Sequence, residues 1–253
     1  MLNVSVLLRQ CYCRSTYQTW SPRGSLDKKP RHAALLRTLE AAECDIILLQ
    51  ECEDYESFWR PALLARGFEG QYKQRTQASN KKKDGCAIFF RTSRLALSGW
   101  EAIEYNDLAA LPLPAVPEQL VLEQPPDVMD ARTRLERDCV GLLAELTLQG
   151  TDGSARSLVV GTTHLFWNPD FDDVKVAQAG LLMQRLARFL ATRFTAQEGA
   201  RIPVVLGGDF NSLPSSTVVE VITGPTLHVP RLSRHANSLA LRDLSLICDV
   251  VHT

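Results

Sequence analysis

The sequence predicts an α/β fold, and three stretches carry that reading. Residues 2–8 and Asp45–Glu51 are strand-like runs with a helical period between them, the pattern of neighbouring strands joined by a crossover helix. Val140–Leu148 and Ser157–Thr163 flank the turn Gly150-Thr151-Asp152-Gly153 and read as an antiparallel hairpin. Ile202-Pro203-Val204-Val205-Leu206 is a buried apolar strand, too short for a helix and stopped by Gly207 and Gly208. With 253 residues, 45% hydrophobic and 23% charged, the chain can bury a sizeable core as one large domain or two small ones.

Composition excludes more than it assigns. Lys+Arg 28 against Asp+Glu 29 leaves a formal charge of -1, so no global basic field advertises nucleic acid, although a local groove can still be basic. No apolar run reaches membrane-spanning length. The seven cysteines are scattered without a Cys-x-x-Cys pair, which argues against a structural zinc site. The N-terminus lacks a clear secretory segment, so a reducing compartment, cytoplasm or nucleus, is the default.

In chain order, the first strand is followed by a polar loop with turn chemistry at Ser21-Pro22-Arg23-Gly24. A helix then begins near Pro30 and runs to about residue 44. After the second strand, Pro61 breaks a helix and Gly67-Phe68-Glu69-Gly70 makes a turn. Lys73 to Lys83 is a solvated cationic loop that could also touch a phosphate backbone. Gly85–Arg91 and Leu95–Tyr105 read as strands. The proline-dense residues 111–127 read as an extended loop or flap. Asp172 and Asp173 cap a long helix whose Leu182, Leu186, Phe189 and Leu190 form a plain core stripe.

Three strand ends present chemically useful side chains. Asp209 and Asn211, spaced i, i+2, would share one side of an extended backbone, where a carboxylate can orient a water and an amide can bind a phosphoryl oxygen. An ordinary Gly-Asp-x-Asn turn explains the same residues. Glu51 could supply one carboxylate to a hard divalent cation, or be a solvated loop acid. His164 closes the hairpin's second strand, where a lone His is usually a hydrogen-bonded structural residue.

Together, Leu-Gln-Glu at 49–51, Thr-His-Leu at 163–165 and Gly-Asp-Phe-Asn-Ser at 208–212 resemble motifs of the endonuclease/exonuclease/phosphatase superfamily. Asp84–Phe89, Glu104–Ala109 and His164–Pro169, with Asp173-Val174-Lys175 and Gln178, resemble more narrowly the carbon catabolite repressor deadenylases, with nocturnin and the angel proteins. The resemblance runs from about residue 4 to about residue 247. It implies a single domain over 1–253, a four-layer α/β sandwich of two mainly antiparallel sheets flanked by helices.

The implied activity is Mg²⁺-dependent hydrolysis (Mn²⁺ being an alternative) at the 3′ end of single-stranded RNA, typically poly(A). Glu51 would ligate the metal, His164 would polarise the phosphate and Asp209 would activate water. Asn211 would stabilise the phosphate and help place the terminal adenosine, Pro169 would pack on the base, and Asn168 would join it in binding substrate. The family's first-strand Asn aligns with Ser5, a poorer metal-shell ligand, and Asn3 lies two residues earlier. The family also ends in a strand bearing an Asp and then a Ser-Asp-His motif, which this sequence lacks. The expectation is therefore a sandwich without its last strands, and weak or absent hydrolysis by this chain. Competing readings are a phosphatase or phosphodiesterase acting on NADP(H) or 2′,5′-oligoadenylate, and a non-catalytic RNA- or partner-binding module. The geometry expected of a hydrolase places Glu51, His164, Asp209 and Asn211 together at one end of the sheets.

Overall fold

The computed structural model describes residues 2–5, 27–76, 83–110, 131–149 and 155–224. It divides into two compact units. The first comprises Met1–Ala102, Val140–His164 and Arg201–Asp209, and the second Ile103–Cys139, Leu165–Ala200 and Phe210–Thr253.

The first unit is built on two sheets. One contains β1 (Leu2–Ser5), β2 (Ile46–Gln50), β3 (Phe68–Gln74) and β4 (Gly85–Arg91) in the order β1-β2-β4-β3. The other contains β5 (Leu95–Glu104), β6 (Val140–Gln149), β7 (Ala155–His164) and β8 (Val204–Asp209) in that order. Each sheet is mixed, since β1 runs parallel to β2 and β8 parallel to β7 while β2/β4, β3/β4 and β6/β7 are antiparallel.

Period-two alternation explains why β2 and β4 read as unbroken apolar runs, because both of their faces are covered. Ile46, Leu48, Cys86, Ile88 and Phe90 pack against Val140, Leu142, Ala144, Leu146 and Val160, which joins the sheets face to face. Ile47, Leu49, Ala87 and Phe89 point the other way, onto Leu39 of helix α1 (Lys28–Ala41), onto Trp59 and onto Leu63 of α2 (Arg60–Leu64). The α/β class, with two sheets and helices outside, is thus present, and so are the crossover from β1 to β2 and the antiparallel pairing of β6 with β7.

Several boundaries differ from the sequence expectation, each for a local reason. The first strand is seen over Leu2–Ser5, and residues 6–8 lie outside the described residues, as do the 21–24 turn, the 111–127 loop, the 150–153 turn and everything after 224. Helix α1 starts at Lys28 and ends at Ala41, so Pro30 sits inside its first turn, where no N–H partner is needed. Pro61 likewise opens α2 rather than breaking it, directly after a π-helical turn over Tyr55–Trp59. Phe68–Gly70 is strand, not turn; the reversal is made by Ala65–Gly67. The glycines at 207 and 208 lie within β8, which continues to Asp209 and is half-buried at most positions rather than enclosed.

The second unit is helical where it is described. Its main element is α5 (Asp172–Arg193), preceded by α3 (Asp107–Ala110) and α4 (Ala131–Leu135) and followed by α6 (Ala196–Gly199) and α7 (Thr217–Thr223). The expected stripe of Leu182, Leu186 and Phe189 is buried, with Leu190 half-buried. Asp173 is no simple cap. It is buried in a two-pronged ion pair with Arg134, at 2.7 and 2.8 Å.

Candidate active site

In the first unit the parallel pairing of β7 with β8 sets His164 directly opposite Asp209. Gly208 makes this approach possible, because a Cβ there would overlap the Thr163 carbonyl oxygen. His164 Nε2 lies 3.9 Å from Asp209 Oδ2; the imidazole is 8% exposed and the carboxylate 35%. A nearly enclosed ring nitrogen therefore stands beside a carboxylate that solvent or a substrate can reach.

Behind His164 stands a pair that sequence reasoning missed. Arg75 Nε donates to Asp84 Oδ2 at 2.8 Å, and Arg75 Nη2 lies 2.6 Å from His164 Nδ1. Arg75 falls in the stretch expected to be a solvated loop, yet it is buried, as is Asp84. The two face each other one step beyond the β3/β4 ladder, with Arg75 N donating to Asp84 O at 2.9 Å. The available signal was Asp84 itself, an acid immediately before a strand too apolar to tolerate it without a cation.

Glu51 follows the last residue of β2 in left-handed backbone, with φ 53°, and is half-buried. Its neighbour Gln50 is fully buried and donates to Thr162 Oγ1 at 2.9 Å, which ties the end of β2 to β7 two residues before His164. The backbone of Ser5 pairs with Gln50 and that of Asn3 with Leu48, so Ser5 is the residue placed beside the strand end that carries Glu51. Among the described residues, no three His, Cys, Asp or Glu side chains gather to cage a metal. The carboxylate of Glu51 is of the kind that a hard cation takes together with waters and substrate phosphate.

In the second unit, Asn211 also has left-handed backbone, φ 47°, so the extended spacing argument that put it on one side with Asp209 does not apply. It is held instead by its own contacts. Its Nδ2 donates to Leu165 O at 2.9 Å, and buried Lys175 donates to its carbonyl at 3.2 Å while pairing with Asp172 at 2.6 Å. Asn168 Oδ1 accepts from Asp170 N at 2.9 Å, capping the short 3₁₀ turn that Pro169 begins. Beside this turn Arg137 lies over the rings of Phe166 and Phe171, and Trp167 is 65% exposed.

The two sheets with helices outside them define an α/β protein, and the chain belongs to the endonuclease/exonuclease/phosphatase family. The family profile described as Endonuclease/Exonuclease/phosphatase family matches residues 3–243. The chain is 36% identical over 224 residues to Carbon catabolite repressor protein 4 homolog 4 of Arabidopsis thaliana, covering 84% of this chain and 52% of that protein. It is 30% identical to the CCR4-Not complex 3′-5′-exoribonuclease subunit Ccr4 of Phaeosphaeria nodorum, covering 85% and 41% respectively. The chain thus spans only 52% and 41% of the length of these two relatives.

Among solved structures, ANGEL2, described as a 2′,3′-cyclic phosphatase and bound to adenosine-2′,3′-vanadate, matches with TM-score 0.65 and 27% identity over 87% of this chain and 55% of that one. The human Nocturnin catalytic domain shares the fold, with TM-score 0.60 and 24% identity over 81% of this chain and 65% of that one. No helix among the described residues is long and apolar enough to cross a membrane.

Proposed function

We propose that the chain is the phosphodiesterase core of a Mg²⁺-dependent 3′–5′ exoribonuclease of the deadenylase type, acting on single-stranded RNA and on poly(A) in particular. The observation that carries this reading is the pairing of His164 with Asp209, a shielded imidazole and an accessible carboxylate at the ends of adjacent strands. The names of the Arabidopsis and Phaeosphaeria relatives support it, and the second also suggests work within a larger assembly.

In this reading Glu51 holds the cation, with Ser5 as its neighbour on β1. The bound cation supplies charge to offset the phosphoryl oxygens. His164 hydrogen-bonds a non-bridging oxygen, and Asp209 orients the attacking water and draws off its proton. Asn211 adds a neutral amide where oxyanion charge develops. Asn168 and Pro169 receive the terminal nucleoside.

The similarity to ANGEL2 favours a second reading, a phosphatase acting on nucleotide ends. Both are tested by incubating the protein, with Mg²⁺ or with EDTA, on 3′-labelled oligo(A), 2′,3′-cyclic-phosphate-ended oligo(A), NADP(H) and 2′,5′-oligoadenylate. Metal-dependent AMP release from oligo(A), abolished in Asp209→Ala, is the outcome this reading requires, and it would overturn the weak or absent hydrolysis expected from the sequence. Turnover of the other substrates alone selects the phosphatase, and folded protein inert on all four overturns both.

A further inference from the structure

We propose that Arg75, anchored by Asp84, is a positioning residue that fixes His164 as its Nε2–H tautomer; the inference rests on the phosphodiesterase reading above. Arginine has five N–H donors and no acceptor, so its contact with His164 Nδ1 at 2.6 Å requires the ring nitrogen to offer its lone pair. The imidazole proton then resides on Nε2, the nitrogen on the Asp209 side. That placement aims a hydrogen-bond donor at the position where His164 is needed, toward a phosphoryl oxygen beside the water-activating carboxylate.

The arrangement is held from two directions. The Arg75 guanidinium is oriented by Asp84 Oδ2 at 2.8 Å, and the two backbones are linked by Arg75 N to Asp84 O at 2.9 Å. Asp84 is fully enclosed, and its Oδ1 has no hydrogen-bond partner among the described residues, where its charge is matched chiefly through Arg75. A planar guanidinium can bond the carboxylate through Nε and the imidazole through Nη2 at once. A lysine ammonium is a point donor on a flexible stem and cannot hold that fixed fork. His164 is thus aligned by a cation behind it, where a carboxylate would instead place the proton on Nδ1 and turn the lone pair toward the substrate.

The test is a long-range ¹H–¹⁵N correlation spectrum of the protein with ¹⁵N-labelled histidine, at one neutral pH, with His164 assigned by its loss in His164→Gln. The expected pattern is a protonated Nε2 and an unprotonated, hydrogen-bonded Nδ1. A proton on Nδ1 in the wild-type protein overturns the proposal without any Arg75 variant having to fold. In folded Arg75→Met the tautomers should mix and kcat should fall on the order of 10²-fold with KM nearly unchanged. Arg75→Lys should restore little of this. An unchanged tautomer and unchanged kcat in Arg75→Met overturn the role. Wild-type protein with the Nε2–H tautomer but no hydrolysis of any phosphoester supports this geometry and removes the proposed function. Hydrolysis with the proton on Nδ1 does the reverse.

Discussion

The buried amide of Gln50 donates to the hydroxyl of Thr162 at 2.9 Å, linking the strand end before Glu51 to the strand that ends in His164. Thr162→Val keeps the side chain's shape but removes the acceptor. The expected loss is about 1–3 kcal/mol, the range for depriving a buried polar group of a partner. Urea unfolding measures it, and a change below the error of the midpoint would mean that the amide finds another partner.

Removing Asp84 should be more damaging. Asp84→Ala leaves the buried Arg75 guanidinium without its carboxylate, and breaking such a pair from one side costs roughly 3–5 kcal/mol. Denaturant midpoints should show a loss well above that of Thr162→Val. Replacing Arg75 and Asp84 together by apolar residues should recover part of it.

Gly208→Ala places a methyl group against the Thr163 carbonyl. The strands must separate to admit it, at about 1–3 kcal/mol for overpacking. Because the same displacement moves Asp209 from His164, activity should fall further than stability alone explains at temperatures where the variant is fully folded.

His32 carries a pH dependence of a defined sign. Burial is the main cause of its lowered pKa, partly opposed by Asp54 and reinforced by Arg31 and Lys28. The ring is stacked on Phe58 at 4.3 Å and meets Trp59 edge-on at 5.2 Å. Because the unfolded chain takes the proton more readily, this contribution is fully present above the ordinary value of 6.5. It is lost as pH falls toward and through the folded value. His32→Phe should flatten the fall in stability below pH 6.5, as read by urea melts across that range. Parallel curves for the two proteins would assign the acid sensitivity elsewhere.

Glu51→Gln should raise the Mg²⁺ concentration needed for half-maximal activity by at least about tenfold, since it removes the one carboxylate assigned to a hard cation. RNA affinity measured without metal should change little. An unaltered metal titration would take Glu51 out of that role.

The strands were legible because two-sided burial writes itself as uninterrupted Ile, Leu and Phe, as in β2 and β4. The strand-end positions of Glu51, His164 and Asp209 followed from the same runs. Arg75 was not legible, since a buried cation within a polar stretch looks like any solvated one until the facing Asp84 is known. Asn211 shows the opposite failure. Its spacing from Asp209 puts the two on one side only in extended backbone, whereas Asn211 is left-handed, φ 47°.

Glu51 and Asn211 each occupy left-handed backbone, φ 53° and 47°, which glycine enters freely and which costs other residues about 1–3 kcal/mol. At Glu51, heat tolerance and the proposed chemistry therefore pull against each other. A laboratory selection for thermal robustness alone would drift toward glycine at Glu51, whereas at Asn211 the amide's bond to Leu165 O opposes the change. It would return a sturdier protein that had shed a carboxylate without any visible change in its fold.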